Sequence, residues 1–321
     1  RDLKAEGAMT ALLKDAIKPN LVQTIEGNAA IIHGGPFANI AQGTNTVIAT
    51  RMGMSFADYT VTEAGFGFDL GAEKFFDIKC QSAGLTPQAV VLTTTIRALK
   101  YHGGADLKEL TTPDTQALKN GLPNLQKHLE NIAKFNVTPV ISINKFTSDS
   151  PEEIEIIKNE AKRLGIRVAE SDVWAKGGEG ALELAQHVVD IVEEGKSNFT
   201  PLYNWESDVK SKIETIATEI YGAKHVDYTA KARKNLRTIK KLGLEKLPVC
   251  IAKTQKSLSD NPKLLGRPKD FIITVREIEI AAGAGFLIPI TGAIMRMPGL
   301  PAHPASEGMD IDDNGNISGL I

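Results

Sequence analysis

The sequence predicts an α/β fold: mostly parallel sheets covered by helices, followed by a small, mostly antiparallel sheet at the C-terminal end. Over the first two thirds, apolar β-branched runs of strand length alternate with stretches of helical periodicity. That alternation is the pattern of a parallel sheet covered on both faces. In the last third, short strand-like runs follow one another with brief links, as in an antiparallel sheet. The 321 residues are 42% hydrophobic and 24% charged, enough to build a sizeable core.

In chain order, Ala29–His33, Tyr59–Ala64 and Ala89–Thr95 read as strands, the first of them buried. Helical patterns separate them, over Ala72–Ala83 and again over 112–135. Thr138–Asn144 is the next strand. Pro151–Leu164 follows as a helix, with Ser150 as N-cap and Pro151 in its first turn. Arg167–Glu170 is a further strand, Leu182–Glu194 and Trp205–Ile220 are helices, and strand character resumes at Pro248–Ala252. The polar, Pro/Gly-rich run Ser257–Lys269 is a boundary loop. Beyond it, Phe271–Ile280, Phe286–Ile290, Met309–Asp312 and Asn316–Leu320 read as strands. The length suggests two or three domains, here 1–136, 137–258 and 259–321.

Composition narrows the function classes. A net charge of −2 gives no basic surface of the kind nucleic acid or anionic membrane requires. No apolar run approaches the length of a membrane span. The two cysteines, Cys80 and Cys250, lie far apart in apolar contexts, which suits buried thiols in a reducing cytoplasm. No His or Cys stands at zinc-ligand spacing beside them.

Several motifs stand out. In His33–Gly43, Gly34, Gly35 and Gly43 crowd with Pro36 and Asn39 behind an apolar run. Glycine lets the backbone approach a ligand, and main-chain N–H groups can then cradle an anion; an ordinary strand-to-helix turn uses the same residues. Gly65-Phe66-Gly67-Phe68-Asp69-Leu70-Gly71 approximates a dinucleotide fingerprint with one extra residue. The acid expected about 20 residues on is missing, although Arg97 could read a 2′-phosphate. Arg97, Lys100 and His102 gather beyond a strand end, where open α/β sheets place ligands; a solvated helix start would look alike. Asn144-Lys145-Phe146 is similar to the base-reading corner of guanine-nucleotide proteins, but Thr147 stands where Asp is required. Phe146 and Trp174 follow neighbouring strands and could sandwich a flat heterocycle, or simply pack in the core. Asp310–Gly315 imitates half a calcium loop, yet Ile321 occupies the position of the bidentate Glu. A hairpin turn at Asp313-Asn314-Gly315 explains it better. The basic stretch Lys231–Lys241 is ordinarily a solvated helix face.

Taken together, the longer blocks resemble one family. His33–Gly43, Val61–Phe76, Thr93–Gly104 (with Arg97-Ala98-Leu99-Lys100-Tyr101-His102-Gly103-Gly104), Val173–Gly180, Cys250–Gln255 and Met297–Pro301 are similar, in order, to segments of formate–tetrahydrofolate ligase. One element of that family is missing, the phosphate loop G-x-x-x-x-G-K-[ST]. The chain's Gly195-Lys196-Ser197 has Asp190 where the first glycine should be, and Gly195 reads as a helix C-cap. The chain also opens at Arg1 inside an apparent helix. The expectation is therefore the C-terminal portion of a longer enzyme, like a P-loop NTPase fold without its P-loop, inactive as a ligase by itself.

The resemblance implies ATP-dependent joining of formate to tetrahydrofolate, with Mg²⁺, through formyl phosphate, in a cytoplasmic homotetramer. It implies Arg97, Lys100 and His102 as catalytic residues, with no metal ligands of the chain's own. Gly34, Gly35, Asn39, Phe66, Gly67 and Asp69 would meet the nucleotide, with Phe66 lining the adenine pocket. Phe146, Trp174, Lys176 and Gly177 would hold the pterin, and Lys231–Lys241 could meet an anionic polyglutamate tail. Two positions depart from the family pattern. Gln42 replaces a usual His and cannot carry a proton, and Phe68 replaces a small Ala, adding bulk beside the expected nucleotide pocket. A folate-binding or assembly paralogue with lost activity is thus the alternative, and an NADP-dependent oxidoreductase the more distant one.

Overall fold

The computed structural model describes residues 4–35, 38–294, 303, 305–312 and 317–319. The block Met297–Pro301 and the turn Asp313-Asn314-Gly315 lie outside the described residues.

The N-terminal region differs from its sequence pattern. Strand β1 (Asn20–Gln23) pairs antiparallel with β2 (Ala29–Ile32), and β2 is only half-buried. It was expected to be a buried strand. The reason is the turn before it: Gly27 sits at φ +81°, the Gly27 amide donates to Thr24 O at 2.9 Å, and Thr24 N donates to Asn28 O at 2.8 Å. An apolar run of four cannot by itself tell an exposed hairpin arm from a buried strand. Tyr59–Ala64, also expected as a strand, is mostly exposed chain with no partner strand among the described residues.

From residue 68 onward the chain is helical to Ala83, in pieces Phe68–Ala72, Phe75–Cys80 and Gln81–Ala83, the first two wound wider than an α-helix. From Phe68 to Cys80 the segment is buried at every residue but Ala72, charged residues included. The glycines of Gly65–Gly71 serve this packing. A Cβ on Gly71 would lie 1.8 Å from Gly65 O.

The central sheet is parallel, with order β3-β4-β5: β3 is Ala89–Thr94, β4 is Thr138–Asn144 and β5 is Arg167–Ser171. Between β3 and β4 run the helices Ile96–His102 and Thr115–Ala133, the latter capped by Asp114, which accepts from Ala117 N at 2.9 Å. These helices touch backbone to backbone. A Cβ on Gly103 would meet Ala117 O at 1.8 Å, and one on Gly121 would meet Leu99 O at 1.9 Å. Gly121→Ala should therefore lower stability by about 1–3 kcal/mol through overpacking, read as the urea midpoint. An unchanged midpoint would mean that the two helices are not held at this separation.

Helix Pro151–Leu164 starts at the expected N-cap Ser150, which forms a capping box with Glu153. Helix Leu182–Glu194 ends at Gly195 in the left-handed region, the C-cap foreseen from sequence. The next helix starts at Val209 rather than at Trp205, because Asp208 caps it, accepting from Lys210 N and Ser211 N. It runs on through Ile216–Tyr221. A strand not foreseen, β6 (His225–Tyr228), then pairs parallel with β7 (Ile272–Ala281), and β7 pairs antiparallel with β8 (Phe286–Thr291). The small C-terminal sheet is thus mixed. Pro248–Ala252 contributes only single bridges to it, Val249 to Leu287 and Ala252 to Ile290. Helix Ala230–Lys241 lies between β6 and β7, and a short pair, β9 (Asp310–Ile311) with β10 (Ile317–Ser318), is antiparallel. One core runs from Phe68 through β4 and helix Val209–Thr215 to Leu287. Its aromatic centre is Phe68, Phe76 and Phe135, with the last two rings 4.9 Å apart. Phe68 thus fills the core instead of crowding a nucleotide pocket.

Candidate functional site

Three loops leave the carboxyl ends of β3, β4 and β5, and each carries a side chain singled out from sequence: Arg97, Phe146 and Trp174. Because β4 lies between the other two strands, its loop is flanked by theirs. Arg97 is half-buried in the first turn of the helix capped by Thr95. Its guanidinium carbon lies 4.2 Å from the centre of the Phe146 ring. Nη2 donates to Ser148 Oγ at 3.1 Å. Phe146 is held in turn by its own loop, where its N–H donates to Asp149 Oδ2 at 2.9 Å and its carbonyl accepts from Asp149 N at 3.1 Å. Burial pushes the Asp149 carboxyl up from its ordinary range, while the Phe146 amide and the Arg97 charge oppose that rise.

Trp174 is 63% exposed, although it belongs to a well-formed turn, Val173–Lys176. An open indole at a strand end is available for stacking. Lys176 Nζ lies 3.3 Å from Asp172 Oδ2. Gly177 adopts φ +59°, and the Gly178 amide donates to Glu26 Oε1 at 2.5 Å. The tip of the β1–β2 hairpin therefore reaches this glycine loop. The loop closes where Asp172 N donates to Gly180 O at 3.0 Å, and a Cβ on Gly180 would lie 2.5 Å from the Asp172 carbonyl. Phe146, Trp174, Lys176 and Gly177 are thus all displayed by the loops after β4 and β5.

The other expected residues are placed differently. The Lys100 ammonium is enclosed, 3.0 Å from Glu153 Oε1 and 2.8 Å from Thr112 O. His102 Nδ1 accepts from Gly266 N at 3.1 Å, so its other nitrogen carries the proton of a neutral ring. Burial, followed by nearby His128, moves its pKa below the usual value; Asp69 opposes this. Asn39 is fully buried, and its carbonyl accepts from Lys74 Nζ at 2.7 Å. Asp69 is buried with Lys253 Nζ at 3.1 Å. A Cβ on Gly67 would meet Asp69 Oδ1 at 2.5 Å. Gly34 at φ +81° and Gly35 are exposed, just past β2, and Phe66 is 42% exposed with φ +61°. A non-glycine residue there stores backbone strain, which often marks a functional turn. The dinucleotide-fingerprint reading of this stretch lacks its structural context, because no strand precedes Gly65. Cys80 and Cys250 are free and buried, with burial pushing their thiols up to about 12 and about 11.

Sequence reasoning did not single out Ser148, Asp149, Lys253 or Glu26. Ser148 and Asp149 precede a readable helix cap, so attention to the loop between Asn144 and Ser150 could have found them. Nothing in the sequence marks Glu26 or Lys253 as partners of loops far along the chain.

The arrangement defines an α/β protein whose candidate site lies at the carboxyl ends of a parallel sheet. No helix among the described residues is long and apolar enough to cross a membrane. Over residues 1–321 the chain matches the family model of formate–tetrahydrofolate ligase, and it belongs to that family. The activity of the class is the ligation of formate to tetrahydrofolate in one-carbon metabolism.

Proposed function

We propose that the chain supplies the folate clamp of an ATP-dependent formate–tetrahydrofolate ligase. The observation that carries this reading is that an open Trp174 and a braced Phe146 leave the same end of two neighbouring strands, β5 and β4. In the reaction, formate attacks the γ-phosphate of ATP to give formyl phosphate and ADP; N10 of the folate then attacks the formyl carbon, and phosphate leaves. The chain's part is to hold the pterin flat between two aromatic faces, and so to fix N10 relative to the acyl phosphate. Phe66, Gly67, Gly34 and Gly35 are the nucleotide-facing backbone of this reading, and Asn39 and Asp69 brace it from inside through Lys74 and Lys253. His102, held neutral, would work by hydrogen bonding. Among the described residues no group of three or more His, Cys, Asp and Glu is placed to hold a metal ion. The Mg²⁺ that accompanies ATP would be held chiefly by the nucleotide's phosphates and by water. Membership of a cytoplasmic homotetramer belongs to the same proposal.

The chain contains no G-x-x-x-x-G-K-[ST] loop. Residues 1–321 alone should therefore make no 10-formyltetrahydrofolate, and its formation by a preparation free of other ligase would refute that. Gln42, half-buried where the family usually has His, supports the second reading, a folate-binding paralogue with lost activity. Restoring His at position 42 in an active parent should alter its pH–rate profile if this residue touches the reacting groups.

Calorimetric titration with tetrahydrofolate tests the clamp. By analogy with base stacking, Trp174→Ala and Phe146→Ala should each lose about 1–3 kcal/mol of affinity, a rise in Kd of about tenfold to over a hundredfold. Trp205 is different: its Nε1 donates to Asp77 O at 2.9 Å inside the fold. Trp205→Ala should lower stability and leave folate affinity of the folded protein unchanged. Unchanged affinity in Trp174→Ala would remove this residue from the site.

A further inference from the structure

We propose that Arg97 is a positioning and specificity-determining residue that acts through Phe146, setting which oxidation state of the pterin the clamp prefers. The inference rests on the folate-clamp reading above. Three contacts carry it. The guanidinium covers one face of Phe146 at 4.2 Å. Ser148 Oγ holds that guanidinium in place at 3.1 Å. Asp149 fixes the Phe146 backbone on both its N–H and its carbonyl. The ring is therefore braced on one face, and in the clamp reading the pterin takes the other.

The cation also changes that opposite face. A positive charge over an aromatic ring attracts its π-electrons, so the far face becomes less negative. An electron-rich ring stacks on it with less repulsion than an electron-poor one. The pyrimidine ring of a tetrahydropterin bears amine donors and is electron-rich; the fully aromatic pterin of folic acid is electron-poor. Arg97 thereby favours the reduced cofactor over the oxidised one, without touching either. The buried Arg97 Nε has no hydrogen-bond partner among the described residues. The guanidinium is thus held by its stacking face and by Ser148, which suits a brace for the ring.

The test is a double-mutant cycle between Arg97→Gln and Phe146→Ala, read by calorimetric Kd values for tetrahydrofolate and for folic acid. Arg97→Gln should weaken tetrahydrofolate binding by about fivefold to tenfold and folic acid binding by less, so that the preference for the reduced form shrinks. Arg97→Lys, which keeps the charge, should recover part of that preference; Ser148→Ala should lose part of it. In the Phe146→Ala background, Arg97→Gln should have no further effect. Loss of both ligands by the same factor would overturn the specificity role, and full additivity in the cycle would overturn action through Phe146. Unchanged tetrahydrofolate affinity in Phe146→Ala alone would instead overturn the clamp reading itself, and this inference with it.

Discussion

Replacing Lys100 by methionine should cost about 3–5 kcal/mol of stability, because it leaves a carboxylate buried without its counter-ion. Lys100 is 1% exposed and its partner Glu153 is 0% exposed, with 3.0 Å between Nζ and Oε1. Glu153 is a junction. It accepts from Asp114 N at 2.9 Å and from Ser150 N at 3.1 Å, so it ties the helix behind β3 to the N-cap of the helix behind β4. Burial alone would raise its pKa. The donors on Asp114, Lys100 and Ser150 outweigh burial and hold it below the ordinary value. Its contribution to stability is therefore present above its unfolded pKa and is lost as pH falls through the lower folded value. Both loops displaying Arg97 and Phe146 spring from this junction. Urea midpoints of Lys100→Met, Glu153→Gln and the double variant would measure it. The double variant should recover part of the loss, since it leaves no unpaired charge. A loss below about 1 kcal/mol in Lys100→Met, the range of a solvent-exposed pair, would mean that the ammonium is not committed to Glu153 and is free to serve the reaction.

Raising the pH from 4 to 8 should destabilise the protein relative to its Asp77→Asn variant. Glu73 and Asp77 are fully buried on the helical segment 68–83. Burial pushes Asp77 up to about 7, with the Leu202 amide at 2.7 Å and the Glu73 carboxyl pulling it back. Glu73 is raised well above the ordinary range, by burial first and by the Asp77 charge second, while Lys74 opposes. An acid whose folded pKa is raised contributes fully below its unfolded pKa, and that contribution is lost as pH rises through the folded one. For Asp77 the window runs from about 3.8 to about 7. At 1.36 kcal/mol per unit this is about 4 kcal/mol, and Glu73 extends the decline to higher pH. Lys74, Tyr203, Tyr221 and Cys250 surround the pair, and the two tyrosines and the thiol stay neutral through this range. Asparagine keeps an acceptor for Leu202 N and cannot ionise, so Asp77→Asn should be more stable than the parent at pH 8. A stability difference between Asp77→Asn and the parent that does not change between pH 4 and 8 would refute the assignment.

Local patterns foretold local structure. Ser150-Pro151 announced a capped helix, Gly195 its neighbour's C-cap, and the β-branched runs at 89–94 and 138–144 became parallel strands. The same logic placed the strand at Ala29–Ile32 but buried it wrongly, and failed at Tyr59–Ala64, where an apolar run had no turn or partner considered with it. It also missed β6, because the alternation His225-Val226-Asp227-Tyr228 is too short to tell from loop until β7 supplies its hydrogen bonds.

By itself the sequence determined the α/β class, the family, and the aromatic and basic residues that stand past the strand ends. These depend on short-range rules: caps, periodicity, and the exit of chain from a strand. Only the tertiary structure decided what each charged residue does. Lys100 and Arg97 sit on one short helix and read alike as donors, yet one is sealed against Glu153 from a later helix and the other lies half-buried across Phe146 from the loop after a later strand. The physical reason is that a charge takes its role from its partner and its distance from water, and both are set by segments that meet only when the chain has folded.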